Sequence, residues 1–224
     1  MGWIFFAYFL IPIAYSYPTP VDFDGSLLRW NKSLEDPRVS VKVESPSGTY
    51  DYYYTVVEAA MELWSDVDSS YIVLEGVSEG EVPLVTIYFK ESIAGGQFSS
   101  GFAIFDEKDE DGPIHCKIEV LAGDGIGFLT LGKTVLHELG HCLGLGHSIV
   151  SESIMSYELD KNGFGLDSDD KAAISRLYPA DGSSPSVPPG CSIVRGGRLS
   201  LTFTYWLLFV PLLGTFYHFS RERE

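Results

Sequence analysis

Three of the five histidines in this 224-residue chain lie within HELGHCLGLGH, from His137 to His147. His137 and His141 are four residues apart, so on a helix both imidazoles share one face, one turn apart. Imidazoles placed in this way reach a single Zn²⁺ at about 2.0–2.1 Å. Glu138 adjoins them and can address the metal's open position without being a ligand, as a general base toward a bound water. His147 cannot join from the same helix unless the helix stops. Gly144 accepts the left-handed conformation that ends a helix, after which the chain can turn and bring His147 to the metal. Three protein nitrogens and one open position are the layout of a catalytic zinc rather than a closed structural one. The alternative, a core helix with incidental histidines, would need three His, one Glu and one Gly to fall at these spacings by chance. Zn²⁺ follows from ligand type; other first-row metals bind the same nitrogens in vitro.

The flanking pattern outlines the scaffold that must hold these groups. TLGKTVLHELGHCL reads as the helix that carries the first two histidines. In TYDYYYTVVEAAMELWSDV, residues Val56, Val57, Ala60, Met61 and Trp64 recur at helical spacing and make one apolar face. A strand is expected near Val39 to Val43, two more in SYIVLEGV and VPLVTIYFK, and a shorter one in HCKIEV. The Gly- and Ser-rich ESIAGGQFSSGFAIF reads as a long loop or an irregular edge strand. LDSDDKAAISRLY reads as a third helix, with Asp167 or Ser168 as N-cap and acidic residues in its first turn. This order predicts an α+β domain, one mixed sheet backed by two helices with a third at the end.

The spaced set His137-Glu138-x-x-His141-x-x-Gly144-x-x-His147 resembles the signature of the metzincin zinc peptidases. In that clan a methionine turn lies beneath the metal. Met155, eight residues after His147 in SESIMSY, fits that place as a packing platform. Ser148, directly after the third histidine, resembles the matrixin branch, the matrix-metalloproteinase-like one, and DSDDKAAISRLY resembles the matrixin C-terminal helix. The likeness is strong over 131–178 and loose over 27–130, where element order and RWNKSL agree. It implies the zincin/metzincin catalytic fold: a twisted mixed five-stranded sheet, three helices and a cleft across the domain. It also implies zinc-dependent endopeptidase activity on a protein or peptide substrate, with an extended substrate pairing to the edge strand before the catalytic helix. Tyr157 either stabilises the oxyanion, as in other metzincin branches, or lines the specificity pocket; Ser148 favours the pocket.

Several features depart from that family pattern. No cysteine precedes Cys116, so a propeptide thiol on the zinc is not expected. Some short-propeptide relatives use an Asp, and VDFDGS offers Asp22 and Asp24 as candidates for latency. The His and Asp motif of a second zinc is not found; His115 alone reads as a strand or loop residue. DEKDEDG, Asp106 to Gly112, has the charge density of a Ca²⁺ loop without EF-hand spacing, so Ca²⁺ is a candidate ion and a solvated acidic turn the plainer reading. For DSDD at 167–170, helix capping suffices. Of three cysteines, Cys191 falls in the tail. Cys116 and Cys142 fall in the folded region, where an exported chain can pair them; two buried free thiols are the alternative.

The ends of the chain bear on location. Residues 1–16 are apolar and read as a signal peptide, with Ala14 and Ser16 before the cleavage point. A short N-terminal segment, 17–26, precedes the catalytic domain at 27–179. Residues 180–198 are a Pro/Ser/Gly linker. The apolar run 199–219, about 32 Å as a helix, is long enough for a membrane span, and a charged tail, 220–224, follows. Gly190-Cys191 before that run also resembles a bacterial C-terminal sorting tag, the alternative to a retained span. The expectation is an exported protein, held at the cell surface or membrane by its C-terminal segment or released from it, and monomeric. A net charge of −16 repels nucleic acid and makes it a poor partner. The rival to an enzyme is a non-catalytic, zinc-stabilised surface binding module, which has no need of Glu138 beside an open metal site.

Overall fold

The computed structural model describes residues 27–185 apart from 47–48, 94–99, 110–111, 124 and 158–162; residues 50, 106–109 and 112 are described by their backbone alone. The elements run β1 (Arg38–Glu44), α1 (Tyr50–Ser65), β2 (Val73–Gly76), β3 (Val85–Lys90), β4 (Gly101–Asp109), β5 (Gly112–Leu121), α2 (Phe128–Cys142) and α3 (Ser168–Leu177). They form the expected α+β fold, a mixed sheet of five strands with three helices. The sheet order is β2-β1-β3-β5-β4. Only the β4–β5 pair is antiparallel; β1–β2, β1–β3 and β3–β5 are parallel.

Alternation explains which face of the sheet is covered. Val39, Val41 and Val43 of β1, Val85, Ile87 and Phe89 of β3, and Cys116, Ile118 and Val120 of β5 are all buried, two residues apart on each strand. They meet α1 and α2, whose own apolar stripes close the core. On α1 the stripe is Val56, Val57, Ala60, Met61 and Trp64, as its spacing predicts. Trp64 also donates its indole N–H to the Leu136 carbonyl of α2 at 2.9 Å, which fixes the two helices against each other. The opposite sheet face is polar. There Glu119 is held between Lys90 and Lys117, and burial of its carboxylate is outweighed by these partners, which keep its pKa low. His115 takes a place on β5 and pairs its Nε2 with Thr86 Oγ1 at 2.9 Å, a strand role.

Two expectations about strand length are corrected. ESIAGGQFSSGFAIF reads as a long loop or an irregular edge strand, and from Gly101 on it is the irregular edge strand β4, with register shifts near Phe105 and Glu107. The acidic run after it reads as a turn; instead the pairing of β4 with β5 continues through it to Asp109↔Gly112. The strand read in HCKIEV accordingly spans the ten residues of β5. Pairing with β5 outweighs the low strand preference of these residues, and the register shifts mark where the ladder is interrupted. The side chains of the acidic run lie outside the described residues, and the Ca²⁺ candidate with them.

Cys116 and Cys142 form a disulfide, Cα–Cα 5.8 Å, between β5 and the last residue of α2. It closes a loop with a sequence separation of 26 residues. On chain entropy alone that is worth about 3 kcal/mol. Cys116→Ser with Cys142→Ser is therefore expected to lower stability by about that amount in chemical denaturation; an unchanged midpoint would show that packing alone holds the two elements together.

Among the described residues no helix is long and apolar enough to cross a membrane. The signal segment 1–16, the segment 17–26 with Asp22 and Asp24, most of the linker 180–198, the apolar run 199–219 and the tail 220–224 lie outside the described residues.

Candidate metal centre

Helix α2 presents His137 and His141 because their four-residue spacing places both on one face. The helix then ends in a Schellman turn. Leu145 donates its N–H to the Gly140 carbonyl at 2.9 Å, and Gly144 donates to the His141 carbonyl at 2.9 Å. Gly144 has φ +95, as this turn requires. A Cβ there would also collide with the Leu28 carbonyl oxygen of the N-terminal arm. This turn brings His147 back to the other two: the three rings lie 4.7, 5.2 and 4.7 Å apart by centroid, and one nitrogen of each lies within 4.8 Å of the others.

The chemistry of these nitrogens fits a bound cation. His137 Nδ1 lies 2.7 Å from the Ile154 carbonyl and His141 Nδ1 lies 2.8 Å from the Leu145 carbonyl. A carbonyl accepts only, so each Nδ1 carries the proton and each Nε2 presents a lone pair. The two Nε2 atoms are 3.1 Å apart. Two lone pairs facing each other at that distance repel, and a metal ion between them removes the conflict. Protonation is the other remedy, and burial opposes it. His137 is pushed down to about 4 by burial first, then by the neighbouring His141 and His147; His141 and His147 are lowered as well, chiefly by burial.

Glu138 lies beside this centre and is itself buried. Burial raises its carboxyl to about 7, against a hydrogen bond from the Ala103 backbone that lowers it. Ala103 belongs to β4, so the edge strand and the helix share one wall of a cleft of about 460 Å³. Gly101, Phe102 and Ala103 of β4 line it together with Glu138, the three histidines and Tyr157. Tyr157 stacks on the His147 ring at 4.2 Å between centroids and is 73% exposed, on the rim rather than in the wall.

Met155 is fully buried beneath α2, its sulfur against Gly140. What holds it there was not foreseen from the sequence. The DSDD segment does cap α3: Asp167 is the N-cap and makes a capping box with Asp170. Asp170, fully buried, does more. Its carboxylate also accepts from the backbone N–H of Ile154 at 2.8 Å and of Met155 at 3.3 Å, and from the Ser153 hydroxyl at 2.5 Å. Asp169 accepts from the Ser148 hydroxyl at 2.6 Å. Ser148 and Met155 are joined in turn by a backbone bond of 2.7 Å. The loop after the third histidine is thus clamped to α3 by two carboxylates. Their acidity was visible in the sequence; which donors they meet was not. Asp170→Ala leaves several buried donors unpaired and is expected to cost about 2–4 kcal/mol in denaturant unfolding. A loss below about 0.5 kcal/mol would mean that the loop holds its shape without α3.

Comparison with known proteins agrees with this geometry. Residues 124–179 match the profile of the matrixin family. Over 167 residues the chain is 28% identical to metalloendoproteinase 2-MMP of Arabidopsis thaliana, covering 68% of this chain and 43% of that protein. It is 47% identical to matrilysin of Rattus norvegicus over 57 residues, covering 24% and 20%. It is 26% identical to stromelysin-1 of Rattus norvegicus over 171 residues, covering 71% and 35%. The chain therefore spans less than half the length of these relatives.

Proposed function

We propose that the chain is a matrixin-like metzincin, a zinc-dependent endopeptidase acting on extracellular or surface proteins. The observation that carries this reading is a buried carboxylate, Glu138, beside three converging imidazoles, two of which, His137 and His141, are held in the tautomer that leaves the Nε2 lone pair for a metal. His137, His141 and His147 would hold the ion. Zinc, when bound there, supplies Lewis acidity toward the scissile carbonyl and lowers the pKa of its water toward ~7. Glu138 accepts the proton of the attacking water and delivers it to the leaving amine. The peptide lies extended along β4, the terminal strand of the sheet, which orients the scissile bond between Glu138 and the histidines. Tyr157, stacked on His147 at the rim, borders the substrate side chains of the specificity pocket.

The proposal extends to the flanks: a signal peptide at 1–16, an N-terminal segment at 17–26 in which Asp22 or Asp24 keeps the enzyme latent, a linker at 180–198, and a surface-anchoring or processed tail at 199–224. The Cys116–Cys142 disulfide supports an oxidising compartment. The test is metal analysis by mass spectrometry and, on the same full-chain sample, cleavage of a mixed quenched-fluorescent peptide library. One zinc per chain with chelator-sensitive cleavage is expected. One zinc without cleavage, persisting after the N-terminus is trimmed, would replace the enzyme by a zinc-stabilised binding module.

A further inference from the structure

We infer that Gly101 is a positioning residue for Glu138, setting how closely the edge strand approaches the catalytic helix. The inference rests on the reading of Glu138 as general base. A Cβ at Gly101 would sit 2.6 Å from Thr134 Cγ2, 3.1 Å from Glu138 Cγ and 3.3 Å from the Glu119 carbonyl oxygen. None of these neighbours gives way easily. Thr134 is buried and β-branched, and its hydroxyl is fixed between the Thr130 carbonyl at 3.1 Å and the Ser100 hydroxyl at 3.2 Å. The Glu119 carbonyl lies on β5, whose ladder with β4 pairs Phe102 with Glu119. A side chain at 101 is therefore accommodated by moving the Thr134–Glu138 turn of α2 away from β4.

That movement reaches the chemistry directly. Two residues along β4, the Ala103 backbone hydrogen-bonds the Glu138 carboxylate, and Ala103 lines the cleft with the histidines. The spacing at Gly101 thus sets where the carboxylate stands relative to the metal-binding nitrogens, while the histidines are held separately by Ile154 and Leu145. Gly101 does not have a positive φ. Alanine there meets a steric contact and no backbone strain, which makes the substitution a clean probe of the approach.

The test compares full-chain wild type, Gly101→Ala, Thr134→Ser and the double variant by kcat, KM, zinc content and thermal unfolding. Gly101→Ala is expected to lower kcat about 10²-fold, as a displacement of about 1 Å does, with zinc retained and KM changed far less. Thr134→Ser removes the methyl at 2.6 Å and keeps the hydroxyl. In the double variant it is expected to recover about ten-fold of kcat relative to Gly101→Ala, a non-additive effect, and only in part because the Glu138 contact remains. A kcat within about two-fold of wild type, a loss that Thr134→Ser does not relieve, or a loss matched by lost zinc would overturn the inference. Crystal structures separate it from the endopeptidase reading. If wild type binds zinc but turns nothing over, that reading falls. The inference then stands only if the Glu138 carboxylate leaves the Ala103 N–H in Gly101→Ala and returns in the double variant; an unmoved carboxylate sinks it.

Discussion

Glu138→Gln is expected to abolish most peptide cleavage, by about 10²–10⁴-fold in kcat, while zinc remains bound at one per chain. Glutamine keeps the size of the side chain and an oxygen that accepts from the Ala103 backbone, so the wall of the cleft is preserved. What it removes is the ability to take a proton. The variant carries a second expectation, readable in zinc-free protein. Burial raises the Glu138 carboxyl from its ordinary value of 4.5 to about 7 in the fold. Its ionised form is therefore disfavoured in the folded state. The stability associated with the neutral form is present below about 4.5 and is lost as pH rises toward about 7. Glutamine does not titrate, so the variant should be the more stable protein above neutrality, by a few kcal/mol at most (order of magnitude). Retained turnover would remove Glu138 from the chemistry. Lost zinc together with lost turnover would make it a support for the metal site instead.

Removing one imidazole is expected to have the other large effect. His147 is the best choice, because it lies after α2 and its loss leaves the helix core intact, whereas His137 is buried within that core. His147→Ala should lose cleavage to background and bind zinc well below one per chain. A strong chelator on the wild type should reproduce both results. Because the ligands converge only in the folded chain, bound zinc stabilises by mass action, by about 4 kcal/mol when free metal exceeds the dissociation constant 1,000-fold. Thermal unfolding should therefore rise with added zinc in the wild type and stay flat in His147→Ala. Acid should act on the metal-free protein in the opposite sense to Glu138. The folded imidazoles are depressed below 6.5, His137 to about 4. Their contribution is whole above about 6.5 and is lost as pH falls toward about 4, because the unfolded chain takes up protons first. Zinc binding unchanged in His147→Ala would exclude that residue as a ligand.

The parts of the fold legible in the sequence are those in which one local period decides. The apolar stripe of α1 is carried by five residues at helical spacing, and burial of one face needs nothing further. Alternation in β1 and β3 is equally local. Strand β4 was harder to read, because FAIF gives way to an acidic run that discourages a strand on its own. Pairing with β5 overrides that preference, and the register shifts near Phe105 and Glu107 are where the ladder accommodates it.

The sequence by itself determined the convergence of the three imidazoles proposed to hold the metal. His137, His141, Gly144 and His147 lie within one helix and the turn that ends it, so backbone geometry over eleven residues brings the imidazoles together. Glu138 follows from the same helix. Tertiary structure decided what surrounds that set, because those contacts join residues far apart in the chain. Cys116 could pair with Cys142 only if β5 passed the last turn of α2, and no spacing states that it does. Asp170 became the clamp on Met155, and Tyr178 the link from the Trp30 N–H at 3.0 Å to the Leu143 carbonyl at 2.9 Å, only through the packing of α3. Gly101 is one glycine among 23 until β4 is laid against α2. Ligand identity is written in local spacing; the distance at which a base stands from its substrate is set by how two remote elements meet.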